Sequence, residues 1–282
     1  MPTAVIDGIP THYEVTGSGP PLLMFSPGGF NAVLENWTDL GHYRGLNLLK
    51  HLTERFSCVT FDRRESGRSG GRVERIRWED YAAQGRGLLD QLDLPRAHLM
   101  GGCAGCSIVA AFGAAYPERT SSMVMFSPAG GAKYRMKQHA RFVQHLAYIA
   151  QHGLDGVVEL ATSTDASFSK DGRVGPWAPV IRTGDAFAKQ YAALDAALYE
   201  ATVGAMVRTL FDRDTVPGAE PEDLMRLEIP TFIVPGNDSS HATSAARYLE
   251  ECLPRSDYWD IPVREQTEET VPGRIVDFLA AV

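Results

Sequence analysis

The sequence lacks the features of a secreted, membrane-spanning or nucleic-acid-binding protein. Four cysteines in 282 residues are too few for a disulfide framework, so we expect reduced thiols and a cytoplasmic protein. No apolar run approaches the roughly 20 residues that span a bilayer, and the first residues have neither the charged nor the apolar region of a signal peptide. The net charge is −8, and no basic run interleaved with aromatics is present, which argues against nucleic acid as a partner.

Sequence patterns that bind cofactors are also missing. No Gly-x-Gly-x-x-Gly follows the first predicted strand, and there is no phosphate-binding loop. No two histidines stand four residues apart, the spacing on a helix that suits zinc. We therefore expect no cofactor and no metal. The partner that we expect is a small-molecule substrate, and the sequence leaves a homodimer open.

Strand-like runs alternate with helix-like runs along most of the chain, which is typical of a mostly parallel sheet flanked by helices. The fold class that this pattern predicts is α/β. With 44% hydrophobic residues, the chain can bury a full core. The predicted strands are His12–Val15, Leu22–Ser26, Ser57–Phe61, Ala97–Met100, Ser122–Phe126, Thr231–Val234 and Asp257–Ile261, and the clearest predicted helices are Tyr81–Leu92 and Thr270–Ala281.

The alternation of strands and helices is interrupted from Ala129 to Asp212. Apolar residues recur at helical spacing in Phe142–Ile149 and again in Tyr191–Leu210. We predict that residues 129–212 form a helical cap, inserted into a core made of residues 1–128 and 213–282.

The most informative motif is Gly101-Gly102-Cys103-Ala104-Gly105, which lies between a predicted strand and helix-like sequence that extends to Tyr116. A sharp strand–turn–helix with glycines on both sides is the elbow that presents a nucleophile. Helix N-terminal amides would favour the Cys103 thiolate, which attacks acyl carbons well. The ordinary alternative is a buried free cysteine. Cys106 completes a Cys-x-x-Cys pair, which we interpret as packing, with redox pairing as the alternative.

From Leu22 to Leu279, the order of elements and motifs resembles the α/β-hydrolase superfamily. Besides the elbow, three segments carry the resemblance. Ser26–Phe30 follows a strand where that superfamily has its oxyanion loop, and Asp62–Ser69 is similar to its D-x-R-G-x-G-x-S segment. Pro235–Asp238 follows a strand where the superfamily carries its acid. The resemblance implies an α/β-hydrolase fold and leaves the substrate open, because this fold hosts many activities.

The resemblance also implies roles for individual residues. It places one oxyanion donor at the backbone N–H of Ala104 and the other in the loop of Gly28, Gly29 and Phe30. It implies that Asp238 is the acid that orients a histidine. The ordinary alternatives are a plain turn after a strand and a loop aspartate that makes local turn hydrogen bonds.

The histidine that the superfamily carries after its last strand is absent, because Trp259–Gln266 contains none. His241, three residues after Asp238, is the leading candidate for the base, since a triad is defined by geometry rather than by order in the chain. A second explanation is that a histidine elsewhere is the base: His42, His139, His145 or His152. A third explanation is that no base is needed, because a thiolate requires less help with deprotonation than serine does.

The leading hypothesis is a hydrolase or acyltransferase in which Cys103 attacks a small apolar ester, lactone, thioester or activated ketone. A lyase, isomerase or cyclase on the same scaffold, or a ligand-binding protein without turnover, is the alternative. Glu65 stands where the superfamily segment has glycine, and we expect it to pair with Arg63 or Arg64 rather than to reach the site.

Overall fold

The computed structural model describes residues 2–282. Its strands are β1 Thr3–Ile6, β2 Ile9–Thr16, β3 Pro21–Phe25, β4 Ser57–Phe61, β5 Ala97–Gly102, β6 Thr120–Phe126, β7 Thr231–Val234 and β8 Ser256–Tyr258. Its α-helices are α1 Asn36–Asp39, α2 Gly41–Arg44, α3 Leu48–Leu52, α4 Trp78–Gln91, α5 Gly105–Ala115, α6 Ala132–Ser163, α7 Ala178–Thr183, α8 Asp185–Ala192, α9 Ala196–Leu210, α10 Pro221–Leu224, α11 Thr243–Cys252 and α12 Val271–Ala280.

The strands form one sheet in the order β1-β2-β4-β3-β5-β6-β7-β8. The six strands from β4 to β8 in that order are parallel, and β1 and β2 are antiparallel to their neighbours. The predicted α/β-hydrolase fold class is therefore confirmed. Parallel strands end at the same edge, so the loops after β3, β5 and β7 lie close together there, where folds of this kind place their sites.

The sheet is covered by helices on both faces, which explains why its central strands are apolar almost throughout. Along β3, Leu22 and Met24 pack in the same cluster as Ile275 of α12. Leu23 and Phe25, which alternate with them, pack in the cluster that contains Phe112 of α5. The period of two along a strand thus divides the core into two layers.

The predicted strands agree with the structure closely, and the largest differences lie towards the ends of the sheet. Ser57–Phe61 and Thr231–Val234 have the predicted bounds. The last strand, Ser256–Tyr258, is shorter than the predicted Asp257–Ile261, and the edge strand Thr3–Ile6 was not predicted. Edge strands of three or four residues are too short to show a clear alternation of apolar and polar positions.

The segment between β6 and β7 is helical, as predicted, and packs over the loop that follows β3. Phe30 in that loop contacts the rings of Phe142, Phe168 and Phe211, with centroids 5.4–6.4 Å apart. The predicted helix over 191–210 is in fact two helices, because the Asp195 side chain accepts a hydrogen bond that caps a new helix, α9. The cap boundaries at residues 129 and 212 stay a prediction. No helix in residues 2–282 has both the length and the apolar character needed to cross a membrane.

Candidate active site

Cys103 occupies the turn between β5 and α5, with its backbone in the left-handed region at φ 54°. A Cβ added to Gly101 would lie 2.6 Å from the backbone of Gly105. A Cβ added to Gly105 would collide with the carbonyl oxygen of Phe25 in β3. Only glycine fits at both positions. The turn therefore has the geometry that its sequence predicted, and it places the thiol at the carboxyl edge of the sheet.

His241 and Asp238 lie together in the loop that follows β7. The Asp238 carboxylate accepts hydrogen bonds from the backbone N–H groups of Ser240, at 2.6 Å, and His241, at 3.0 Å. Its other oxygen lies 2.9 Å from Nδ1 of the His241 ring. The backbone N–H of Gly130 donates to the carbonyl of Ser240 and ties this loop to the one after β6. Because a carboxylate accepts hydrogen bonds, Nδ1 of His241 carries a proton and donates it to Asp238. The Nε2 edge of the imidazole is therefore available to the site.

The electrostatics of the site couple Cys103 to His241. Burial alone would raise the pKa of the Cys103 thiol, but its interaction with His241 and the backbone amides of Ala104 and Gly28 outweigh burial and lower that pKa. Burial alone would lower the pKa of His241, but Cys103 and then Asp238 outweigh it and raise that pKa to about 9. Nε2 of His241 is buried and makes no hydrogen bond of normal geometry within residues 2–282. The interaction between the two groups thus favours the ionised thiol and the protonated imidazole together.

Asp238 is held as a carboxylate by the same loop. Partial burial acts to raise its pKa, but the hydrogen bonds from His241 and Ser240 outweigh that effect and lower the pKa. The side chain is 61% exposed, so water screens part of its charge. Asp238 therefore acts on the site by orienting the imidazole more than by its field.

The loop after β3 approaches Cys103 through glycine. Gly28 has φ 126°, and a Cβ there would lie 2.5 Å from the carbonyl oxygen of Asn31. The side-chain amide of Asn36 donates to the carbonyls of Pro27 and Asn31, both at 2.7 Å, and so fixes the shape of the loop. The backbone amides of Gly28 and Ala104 both face the Cys103 thiol. Two backbone donors are thus placed beside the thiol, the arrangement that an oxyanion needs.

The other two loop residues have different surroundings. Gly29 lines the cavity with Gly28, and its carbonyl accepts a hydrogen bond from the Arg63 guanidinium, which stacks on the Tyr81 ring at 4.1 Å. The Phe30 side chain is buried among aromatic rings and does not line the cavity that contains Cys103. Phe30 therefore anchors the loop by packing.

Of the other candidate histidines, three have partners away from Cys103, and His42 lies within electrostatic range of His241. His139 Nε2 lies 2.9 Å from the carbonyl of Phe211. His145 is fully buried between the carbonyl of Arg173, at 3.1 Å, and the hydroxyl of Tyr199, at 2.7 Å. His152 is exposed beside Tyr148, and His42 stacks on Phe126 with ring centroids 5.9 Å apart. Among the predicted histidines, His241 is the one that the structure brings to Cys103.

Gln266 lies in the stretch after β8 that contains no histidine. It is buried, and its side-chain amide donates to the carbonyl of Pro235 at 2.8 Å and to that of Ile261 at 3.3 Å. Pro235 begins the loop that carries Asp238 and His241. Sequence reasoning missed this role, because nothing local marks a glutamine that acts across 31 residues of chain.

A cavity of about 420 Å³ opens above Cys103 and His241. One wall is a polar stripe on α6 formed by Tyr134, Gln138 and Arg141. Their spacing of four and then three residues places them on one helix face. The apolar positions of this helix predicted that it forms, and its polar positions were missed. The same helical spacing of polar residues could have identified this face.

The remaining residues of interest are structural. The Cys106 thiol is buried and donates to the Gly101 carbonyl at 3.1 Å, and the four cysteines are free. Glu65 is buried against Arg64, with 2.9 Å between Oε1 and Nε, as the sequence predicted. Burial raises the pKa of Glu65 to about 7 against the opposing effect of Arg64. No group of three or more candidate metal ligands is found within residues 2–282.

Comparison with known families gives one match, to the alpha/beta hydrolase fold, over residues 21–168. A curated relative, the uncharacterized hydrolase YraK of Bacillus subtilis, is 29% identical over 128 residues. That alignment covers 45% of this chain and 44% of the relative, so the chain spans less than half the length of the relative that it matches.

Solved structures match over nearly the whole chain. The enol-lactonase from Burkholderia xenovorans LB400 aligns with a TM-score of 0.65 at 18% identity, covering 99% of this chain and all of the other. The meta-cleavage product hydrolase CumD from Pseudomonas fluorescens IP01 aligns with a TM-score of 0.62 at 16% identity, covering 100% of this chain and 98% of the other. A thermophilic esterase from Thermogutta terrifontis aligns with a TM-score of 0.61 at 18% identity, covering 99% of this chain and 96% of the other. At these identities, the likeness establishes the fold.

Proposed function

This chain belongs to the alpha/beta hydrolase fold family, and we propose that it is a hydrolase or acyltransferase with Cys103 as its nucleophile. The observation that carries the proposal is the alignment of Cys103, His241 and Asp238. The carboxylate of Asp238 holds the imidazole at 2.9 Å, and the imidazole lies in the same cavity as the Cys103 thiol, whose pKa it acts to lower. A base is therefore available from the loop after β7, although the stretch after β8 has none.

The reaction follows from these groups. The Cys103 thiolate attacks the carbonyl carbon, forming a C–S bond and an oxyanion that the amides of Ala104 and Gly28 stabilise. The imidazolium of His241 donates its Nε2 proton to the leaving atom as its bond to the carbonyl carbon breaks. The leaving atom is oxygen or sulfur in an ester, lactone or thioester and carbon in an activated ketone. Neutral His241 then takes a proton from water or from an acceptor alcohol. The resulting nucleophile attacks the thioester and releases the thiolate, which restores the starting pair.

The substrate class in the proposal is a small, mainly apolar ester, lactone, thioester or activated ketone. A cavity of about 420 Å³ is within the usual range for small-molecule sites. The non-hydrolytic alternatives (a lyase, an isomerase or a cyclase) and binding without turnover were motivated by the missing histidine. Since His241 faces Cys103, that motivation is weaker, and these alternatives remain as outcomes of the test.

The experiment is intact-mass measurement and turnover with p-nitrophenyl acetate and butyrate. We expect wild type to turn both over, Cys103→Ala to show neither adduct nor turnover, and His241→Ala to accumulate an acyl adduct because its deacylation is slow. Cys252→Ala and His152→Ala are the matched controls, since both residues lie outside the site, and they should behave as wild type. If wild type shows neither adduct nor turnover, the proposal is wrong and binding or non-hydrolytic chemistry takes its place.

A further inference from the structure

Arg141 is a half-buried cation in the wall of the cavity that contains Cys103. Its one side-chain hydrogen bond within residues 2–282 goes to the neutral amide oxygen of Gln138, at 3.0 Å, and no carboxylate in that range forms an ion pair with it. Arg64, which is buried, is paired with Glu65. Arg63 and Arg182 have no carboxylate partner in that range either, but their guanidinium groups donate to backbone carbonyls. A partly desolvated guanidinium with a single neutral side-chain acceptor is costly, and its unused donors suit an anionic ligand.

Arg141 is within electrostatic range of the reacting groups. Burial lowers the pKa of its guanidinium, while Tyr134 and Cys103 act to raise it. Arginine stays protonated under all ordinary conditions, so the cavity carries a permanent positive charge near the nucleophile. This positive charge is opposite in sign to the net charge of the chain, which is −8.

Two further charged side chains of the cavity lie on the segment after α6. Lys170 and Asp165 both line the wall, and both are exposed to solvent. Their opposite charges offset each other and are screened by water. Apart from Cys103 and His241, the guanidinium of Arg141 is therefore the charged group of the cavity that water screens least.

We propose that Arg141 recognises a carboxylate of the substrate, at the end of the acyl chain away from the carbonyl that Cys103 attacks. This inference rests on the proposed function and narrows its substrate class to acyl compounds with a distal carboxylate. The planar guanidinium matches a carboxylate with two parallel N–H···O bonds, which fixes the direction of the chain as well as adding affinity. Tyr134 and Gln138, on the same helix face, would lie beside the chain between Arg141 and Cys103.

The test compares two p-nitrophenyl esters that differ only in charge: the monoester of adipic acid and the corresponding terminal amide. Wild type should prefer the carboxylate by roughly tenfold or more in kcat/KM, which corresponds to one charge-assisted hydrogen-bonded contact. Arg141→Met should remove the preference, mainly by raising KM for the carboxylate ester. Arg141→Lys should retain part of the preference, because it keeps the charge but loses the planar fork.

Lys170→Met is the matched control, since it removes an exposed cation from the same cavity, and it should change the preference by less than about twofold. A second reading of Arg141 is that it stabilises the Cys103 thiolate. In that case, Arg141→Met would slow both esters equally and move the pH profile of Cys103 alkylation by iodoacetamide to higher pH. Because Cys103 and Arg141 interact through charge, we expect a small shift of that profile, well below the shift that His241→Ala causes.

The outcomes separate this inference from the proposed function. Equal kcat/KM on the two esters in wild type would overturn the recognition role of Arg141 while the cysteine hydrolase stands. If wild type turns over neither these esters nor p-nitrophenyl acetate and butyrate, the proposed function fails, and calorimetry decides the subsite by itself. Adipate should then bind Cys103→Ala and not the double variant with Arg141→Met, and equal binding to both would overturn the inference.

Discussion

Nδ1 of His241 lies 2.9 Å from Oδ2 of Asp238, three residues earlier in the same loop. The acid and the histidine therefore share one strand-to-helix connection, between β7 and α11. In the superfamily that the sequence resembles, the histidine instead follows the last strand. The consequence is that the carboxylate, through its bonds to the backbone of Ser240 and His241, shapes the loop that carries the ring.

The first prediction concerns the reactivity of the thiol with pH. Wild-type Cys103 should react with iodoacetamide below the ordinary range for a thiol, because its pKa is lowered by His241. In His241→Ala the favourable ion pair is lost and burial remains, so the midpoint should move to higher pH. Since the pKa of His241 is about 9, acylation by wild type should weaken above that pH as the imidazolium loses its proton. Identical alkylation profiles for wild type and His241→Ala would contradict this account.

The second prediction concerns Asp238→Asn. The amide can offer Nδ1 either a donor or an acceptor, so it no longer fixes the tautomer of His241. We expect kcat/KM on p-nitrophenyl butyrate to fall about 10- to 100-fold, a moderate loss because the carboxylate is exposed and partly screened. Asp165→Asn removes an exposed carboxylate from the cavity wall and is the control. Equal, small effects of both variants would show that Asp238 does not orient the base.

The third prediction uses two adjacent glycines with positive φ. Gly28 has φ 126°, and a Cβ there would collide with the loop. Gly29 has φ 56°, and the atom nearest to a Cβ added there would be Ser169 Oγ, at 3.7 Å. Gly28→Ala should displace the amide beside Cys103 and lower kcat by about 100-fold, the usual effect of losing one oxyanion donor. Gly29→Ala should keep most of the activity and lower stability by about 1 kcal/mol. Steady-state kinetics and thermal melts measure both, and the reverse ranking would contradict the proposed oxyanion loop.

The fourth prediction concerns Gln266. Replacing it by methionine removes the donor to the buried carbonyl of Pro235. An unpaired buried acceptor costs about 1–3 kcal/mol, so the melting temperature should fall by several degrees. Because that carbonyl begins the loop of Asp238 and His241, kcat should fall as well. Gln144→Met, which removes a hydrogen bond to Gly172 outside the site, should affect stability alone. A Gln266→Met protein with unchanged kcat would limit Gln266 to a structural role.

The fifth prediction concerns acid stability and His145. Burial lowers the pKa of this ring to about 4 in the folded protein. The unfolded chain, with a pKa near 6.5, then takes up the proton first. The stability that neutral His145 contributes is complete above pH 6.5 and is lost as the pH falls towards 4, by on the order of 3 kcal/mol. Unfolding by urea between pH 7 and 4 should show a steeper loss for wild type than for His145→Gln, while His152→Gln follows wild type. If stability fell equally with pH in all three proteins, this role of His145 would be contradicted.

The sequence by itself determined the sheet and the elbow. Apolar runs that are buried on both faces, such as Ser57–Phe61, can be read without knowing their neighbours. The glycines around Cys103 are local steric requirements, so Gly101 and Gly105 were informative on their own. The pairing of Asp238 with His241 was also within reach, because both residues lie in one short loop.

Only the tertiary structure decided which groups surround the thiol. His139, His145 and His152 could each have been the base by sequence, and their partners at Phe211, Tyr199 and Tyr148 depend on how the helices fold back over the sheet. The role of Gln266 depends on a contact between distant loops, and that of Arg141 depends on which face of α6 meets the cavity. Local propensity fixes a strand or a turn, but side chains far apart in sequence meet only when the whole chain has packed.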